Sequence, residues 1–324
     1  MDIIKNKKIF LIIAAVIVLS GMAIVAMFGL KPGIDFTGGS LMEVRYSTLP
    51  EQAVVEEAMA ELALGTASVR HSESEAGNGY LVTTRDLTDE ERASLEARLT
   101  ALGTEGELVR FTSIGPVIGE ELKDKAVWAI GAVLGLIIIY VAFAFAGVGA
   151  PVSSWVYGFM TILVLGHDIL VPVAFMSLMG HFVGAEVDVL FVTVLLTILG
   201  FSVNDTIVIF DRIREKLKLN RTETKKNIPV VGGKDEIQIT YHLTRPFDEL
   251  VGEAIDETIT RSINTSLTVL IALIALYFIG SSVTQLFALS LMVGIVAGAY
   301  SSIFIASPLL VLYFEKKVKP SLNK

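Results

Sequence analysis

The sequence predicts an α-helical membrane protein with six transmembrane helices and one α+β ferredoxin-like extracytoplasmic domain between helices 1 and 2. Three observations carry that prediction. Apolar residues gather into runs of about 18 or more, the length that crosses a bilayer as a helix. One polar stretch with mixed strand and helix periodicity follows the first run. Lys and Arg cluster in three places that a six-span path puts on one side of the membrane. Composition agrees, with 53% hydrophobic and 19% charged residues, against about 45–50% and about 25% in a soluble domain. The chain has no cysteine, so disulfides and thiolate metal sites are excluded.

The first span is read at 9–30, after three lysines within residues 1–8. A cleaved signal peptide has an apolar region of about 7–15 residues and a small-residue cut site; this longer run favours a retained anchor. Further spans fit 127–145, 155–179, 187–210, 263–279 and 286–313. Six spans put both ends of the chain on one side together with the basic clusters at 5–8, 212–226 and 316–324, so both termini are expected in the cytoplasm.

Residues 31–122 form the expected extracytoplasmic domain. Alternation marks strands at 40–46, 67–72, 80–85 and 107–111, and helical spacing marks 51–62. Gly77-Asn78-Gly79 is expected to turn between the second and third strands. Thr88 with Glu91 three residues later has the form of a capping box opening a helix over 89–102. The order βαββαβ is that of a ferredoxin-like sandwich. The domain's acidic excess reads as a solvated face.

The remaining organisation is residues 123–211 with spans 2–4, a cytoplasmic loop at 212–260, and residues 261–324 with spans 5 and 6. Within the loop, 217–245 is polar and contains Pro229 and Gly232-Gly233, which predicts a flexible insertion. Pro246 precedes an amphipathic stretch at 247–260, expected to lie on the membrane or on protein before span five. The pairs Gly131/Gly135 and Gly294/Gly298 predict close helix packing.

Three spans carry polar groups where apolar side chains would be cheapest: His167-Asp168 in span three, Asn204-Asp205 in span four, and Arg261 with Asn264, Thr265 and Ser266 at the start of span five. A charge at the bilayer centre costs from about 2.5 to more than 10 kcal/mol, so such groups persist when paired, hydrated or protonated. Asp205 is the leading candidate for proton coupling. Desolvation and a neighbouring arginine act on a carboxyl in opposite directions, and a group held between them can load and release a proton. Arg261 is its expected partner, because its charge is permanent and its fork fits a carboxylate. Asn204, Thr206, Asn264, Thr265 and Ser266 can hydrogen-bond the rearranging groups. His167 and Asp168 either join this network or form a hydrogen-bonded structural pair.

Other chemistry is disfavoured. Gly33-Ile-Asp-Phe-Thr-Gly-Gly-Ser40 has Walker A spacing, but glycine stands at the lysine position and the motif leads into a strand. Ser72, Ser74 and His71 read as a polar strand end rather than a nucleophile with its base. His181, Glu186 and Asp188 make at most a weak cation site. No catalytic residue, metal site or cofactor is indicated, and the basic stretch at 212–226 lacks the aromatic interleaving of a nucleic-acid surface. The chain is expected not to be an enzyme.

These segments also carry a resemblance. Gly33-Ile-Asp-Phe-Thr-Gly-Gly39, Ile114-Gly-Pro-Val-Ile-Gly-Glu-Glu-Leu122, Gly166-His-Asp168, Ser202-Val-Asn-Asp-Thr-Ile-Val-Ile-Phe-Asp-Arg-Ile-Arg-Glu215, Thr260-Arg-Ser-Ile-Asn-Thr-Ser266 and Gly298-Ala-Tyr-Ser-Ser-Ile-Phe304 run along essentially the whole chain. Together they resemble the SecF family of protein-export membrane subunits, related to resistance-nodulation-division transporters. The resemblance implies a cytoplasmic (inner) membrane subunit acting with SecD and the Sec translocon channel on exported polypeptide. It implies the proton gradient as energy source in place of a cofactor, and a role in late translocation and release. The family's intramembrane aspartate and arginine correspond to Asp205 and Arg261. The connection between spans four and five is longer than the family pattern implies. A passive scaffold and a stand-alone proton-driven exporter of small molecules are the competing readings; a scaffold has no need of Asp205 or Arg261.

Overall fold

The computed structural model describes residues 3–62, 64–65, 67–74, 77–145, 152–228 and 236–318. Six helical segments are long and apolar enough to cross a membrane. They are α1 (Lys7–Phe28), α5 (Pro116–Ala144), α6 (Ser154–Phe182), α7 (Val189–Leu219), α8 (Phe247–Ile279) and a final segment that begins as α9 (Ser282–Ser301). That final span is not uniform: it passes through a π-helical turn at Ser302–Ala306, α10 (Ser307–Tyr313) and a second π-helical turn at Phe314–Val318. The ends of the first and last spans meet where Lys7 Nζ lies 2.7 Å from Glu315 Oε1, as an even number of crossings requires.

Between α1 and α5 sits a short helix, α2 (Ile34–Thr37), and then the domain β1 (Gly39–Tyr46), α3 (Gln52–Glu61), β2 (Ser68–Ser74), β3 (Gly77–Thr84), α4 (Asp89–Thr100) and β4 (Glu107–Ile114). The sheet is antiparallel throughout, in the order β2-β3-β1-β4, the arrangement expected of a ferredoxin-like sandwich. Its core is Met42, Val44, Val55, Met59, Tyr80, Val82, Leu95 and Leu99, which places the apolar face of the strands against α3 and α4. The Thr88–Glu91 capping box is present in both directions: the Glu91 amide donates to Thr88 Oγ1 at 3.3 Å and the Thr88 amide to Glu91 Oε2 at 3.0 Å. Hydrogen bonding to Arg85 and to the Thr88 backbone holds the Glu91 carboxyl down at about 2. Tyr46 donates its hydroxyl to the Leu99 carbonyl at 2.8 Å, and burial pushes that phenol up to about 12.

The structure corrects some of these expectations and refines others. Gly77-Asn78-Gly79 is not a turn but the start of β3, with Ser74 opposite Gly77. A Cβ on Gly79 would lie 2.2 Å from the Val44 carbonyl, so glycine there permits close strand approach. Residues 75 and 76, between β2 and β3, lie outside the described residues. The polar insertion contains a two-stranded antiparallel hairpin, β5 (Arg221–Ile228) with β6 (Glu236–Leu243); Pro229 and Gly232-Gly233 lie outside the described residues. The amphipathic stretch at 247–260 lies on protein, burying Phe247, Leu250, Val251, Ala254 and Ile255 in the inner core, and it continues unbroken as α8 into span five. The helix that carries span two begins before its apolar run, at Pro116, an N-terminal helix position suited to proline. Finally, only one glycine pair packs as expected. A Cβ on Gly294 would stand 2.0 Å from Ile198 Cδ1, whereas nothing lies within 4 Å of Gly131 or Gly135, which present an open face of α5.

Candidate functional site

The register of α7 against α8 places the site. At the inner ends of these helices, charged side chains interleave: Arg212 pairs with Glu257, Lys216 with Glu257 at 2.6 Å and Glu253 at 3.4 Å, and Arg245 with Glu253 at 2.5 Å. Each pair is partly exposed and screened by solvent, so none of them contributes much alone. Together they nevertheless fix which residue stands opposite which. Moving outward along α7, the surface changes from exposed Asp211 to buried Phe210 and Ile209. About 9 Å beyond Asp211, at 1.5 Å per residue, comes Asp205.

Asp205 is 8% exposed and faces Ser262 and Arg261 of α8. No direct ion pair or geometrically sound hydrogen bond to its carboxyl occurs among the described residues. Arg261 acts on it through its field, and its own side chain lies at the surface of the chain. Ser262 Oγ, beside this carboxyl, and Thr206 Oγ1, on the next residue of α7, are both buried without a well-formed hydrogen bond. A buried hydroxyl left unpaired costs about 1–3 kcal/mol, so this seam holds polar capacity that packing alone does not use. Asn204 and Asn264 are exposed, Thr265 and Ser266 are half-buried, and Thr265 spends its hydroxyl on the Arg261 carbonyl at 2.9 Å. The structure therefore brings together Asp205 and Arg261 from the sequence-based set, and gives Asn204, Thr206, Asn264, Thr265 and Ser266 no hydrogen bond to the carboxyl among the described residues.

His167 and Asp168 form a second centre. Asp168 is fully buried. Its Oδ1 lies 2.8 Å from His167 Nδ1, and its Oδ2 accepts from Ser301 at 2.8 Å and from Ser202. Ser202 stands one turn from Asp205 on α7, so the two centres are adjacent. Ser202, Ser262 and Ser301 were not singled out from the sequence. The only available signals were spacing, Ser202 three residues before Asp205 and Ser262 next to Arg261; nothing in the sequence marks Ser301.

The outer domain is tied to α7. The Gly33 amide donates to the Val187 carbonyl at 2.8 Å and the Val187 amide to the Lys31 carbonyl at 2.7 Å. Asp35 accepts from the Val189 amide, and Asp188 from the Phe191 amide, both at 2.8 Å. Burial is the main cause that pushes the Asp188 carboxyl up, with Asp35 adding to it. Gly39, at φ +136°, lies where a Cβ would meet the Thr84 carbonyl at 2.4 Å, so the loop can seat against the sheet only with glycine. Glu186 pairs with Arg70 at 3.6 Å, and no cluster of metal-ligating side chains occurs among the described residues. A cleft of about 820 Å³ separates the sheet from the outer ends of the spans, lined by Arg70, Arg110, Met179, Glu186, Phe191 and Tyr277 among others.

Comparison with known proteins adds the following. The family described as "Protein export membrane protein SecD/SecF, C-terminal" matches residues 94–232 and 230–316, and the "SecD/SecF GG Motif" matches residues 23–48. A protein translocase subunit SecF from Thermobaculum terrenum is 35% identical over 325 residues, covering 97% of this chain and 94% of that protein. The SecF subunit from Sebaldella termitidis is 34% identical over 329 residues, covering 100% and 95% respectively. The crystal structure of SecDF from Thermus thermophilus, a translocon-associated membrane protein, superposes with a TM-score of 0.79 at 31% identity, covering 98% of this chain and 39% of that longer one.

Proposed function

The chain belongs to the SecD/SecF family of protein-export membrane proteins, and from that membership we propose that it is an accessory subunit of the Sec translocase that uses the proton-motive force through Asp205. It is a multi-pass membrane protein. In this reading it sits in the cytoplasmic (inner) membrane with both termini in the cytoplasm and associates with SecD and the translocon channel. It promotes late movement and release of exported polypeptide on the outer face. The fused SecDF relative supports the pairing with SecD, since this chain matches only part of that protein. The open apolar face of α5, with Trp128, Leu136, Ile139 and Phe143 exposed, fits lipid or a partner's helices. The proton gradient is the energy source, and no catalytic residue is assigned.

The observation that carries the coupling is a buried carboxyl on α7 with no locked partner, set against an arginine on α8. Loading a proton on Asp205 removes the charge that Arg261 attracts, and releasing it restores that attraction. The α7–α8 seam thus has two preferred fits. At its outer end α7 is bonded to the Lys31–Asp35 loop that leads into β1, so a shift of the helix is passed to the outer domain. The test is late translocation in vesicles containing this chain, SecD and the channel, under an imposed proton gradient. Asp205→Asn is expected to abolish the proton-dependent phase while leaving insertion and SecD association intact; normal export kinetics in that variant would overturn the reading. Arg261→Gln is expected to lose most of the activity, because the positive field at Asp205 is removed; full activity in that variant would leave Arg261 as a topology residue only.

A further inference from the structure

The buried polar groups beyond Asp205 converge on α6, and they form a shape that a structural contact does not require. We propose that His167, oriented by Asp168, is a second proton-holding group of the same conduit, taking up and releasing a proton at Nε2. This inference rests on the proton-coupled reading of Asp205 and extends it.

The geometry is that of a carboxylate-oriented imidazole. A carboxylate only accepts hydrogen bonds, so His167 Nδ1, 2.8 Å from Asp168 Oδ1, carries the proton of that bond. The second carboxylate oxygen is already occupied by Ser301 and Ser202. Asp168 is therefore held from α6, α7 and the last span at once, and it fixes the ring in one tautomer. That leaves Nε2 with a bare lone pair. Nε2 is buried and has no hydrogen-bond partner, and the whole residue is 4% exposed. A latch needs only a donor toward Asp168, which an amide supplies. What imidazole adds is a second nitrogen that binds a proton near neutral pH. When Nε2 is protonated, the imidazolium sits directly against the Asp168 carboxylate, so the pair carries no net charge in the bilayer. The Nδ1–H bond is unchanged throughout, and the proton that enters at Nε2 is the one that leaves it.

The position suits exchange with Asp205. Ser202, bonded to Asp168, is three residues from Asp205 on α7, about 4.5 Å along the helix axis. The titratable and charged groups around His167 are few. They are Asp168 on its own helix, Asp205 from α7, Arg261 from α8 beyond it, and Tyr300 from α9, whose ring centroid is 6.3 Å from the imidazole. The lysines preceding and opening α1 lie at the inner end, where Lys7 meets Glu315. The charged residues of α5, at 120–125, lie at its outer start. The π-helical turn after Ser301 belongs to the same arrangement, since such turns re-aim side chains at functional positions.

The test reads the imidazole itself in the full-length chain reconstituted with SecD. The chain has four histidines; with His71→Gln, His181→Gln and His242→Gln together, the remaining ¹⁵N-imidazole signal is that of His167. The same signal is identified independently as the one lost in His167→Gln. Acidifying the medium from about pH 8 to pH 5 is expected to convert it from neutral to doubly protonated, a response that changes in Asp205→Asn. In vesicles, His167→Gln is expected to slow proton-driven translocation by at least about tenfold, a modest figure for loss of one acid–base group. An imidazole that stays neutral over that range, or proton-driven translocation at the normal rate in His167→Gln beside an inactive Asp205→Asn, would overturn this inference alone. Normal proton-driven export in Asp205→Asn would remove the reading beneath it.

Discussion

Replacing Asp35 with alanine isolates the bond by which the outer domain grips the helix that carries Asp205. The first four amides of α7 have no partner within the helix. Asp188 satisfies the Phe191 amide from the N-cap position, and Asp35, reaching across from the glycine-rich loop, satisfies the Val189 amide at 2.8 Å. Loss of a capping acceptor costs about 1 kcal/mol, and loss of a negative charge at a helix N-terminus costs about 0.3–1 kcal/mol. Two features reduce the total. The Val189 bond is exposed, so water replaces part of it, and removing Asp35 relieves its repulsion of the Asp188 carboxyl. The net expectation is about 1 kcal/mol, or about fivefold in the opening equilibrium of the first turn. Hydrogen exchange at Phe191 and Val192 measures it: about fivefold faster in Asp35→Ala, and roughly twofold in Asp35→Asn, which keeps an acceptor and loses the charge. Unchanged exchange in Asp35→Ala would refute the claim that this carboxylate couples the loop to α7.

Other consequences follow from the same structure. Burial raises the Asp188 carboxyl above its ordinary value, so the folded state holds its proton more tightly than the unfolded chain. The stability of the first turn of α7 should therefore fall as pH rises from that value through the raised one. Exchange at Phe191 should show this slope in the wild-type chain and lose it in Asp188→Asn; equal slopes would contradict the assignment. Gly294→Val should separate α9 from α7, because even a Cβ there would sit 2.0 Å from Ile198 Cδ1 and 2.5 Å from Cγ1. An overpacking cost of about 1–3 kcal/mol, read as a lower Tm, is expected. Gly131→Val, on an open face, should leave the Tm of this chain unchanged, and an equal loss in both variants would refute the distinction.

How much of this was legible in the sequence depended on whether a residue's neighbours are local. The spans were legible because run length is a local property, and the Thr88–Glu91 box because its two partners are three residues apart. Span five was misjudged for a physical reason: the polar residues Arg261 to Ser266 interrupt the apolar run but not the helix, so hydropathy breaks where the backbone does not. The hairpin at 221–243 carried a readable signal, the alternation of Ile237, Ile239 and Tyr241 with Gln238 and Thr240, which polarity and the nearby glycines obscured. Asp205 and Arg261 stood out because lipid makes them expensive. Ser202 and Ser301 did not, because a serine in a membrane helix ordinarily bonds its own backbone, as Ser302 does with the Gly298 carbonyl. Only the fold shows that Ser202 and Ser301 meet at Asp168, with Ser301 also 3.0 Å from the Gly298 carbonyl.

The central claim is that Asp205 changes protonation state within the membrane. Infrared difference spectra of the assembled complex, recorded as the medium is acidified, address it directly. A protonated-carboxyl stretch should appear in the wild-type complex and be missing in Asp205→Asn. An identical band in both complexes would contradict the claim.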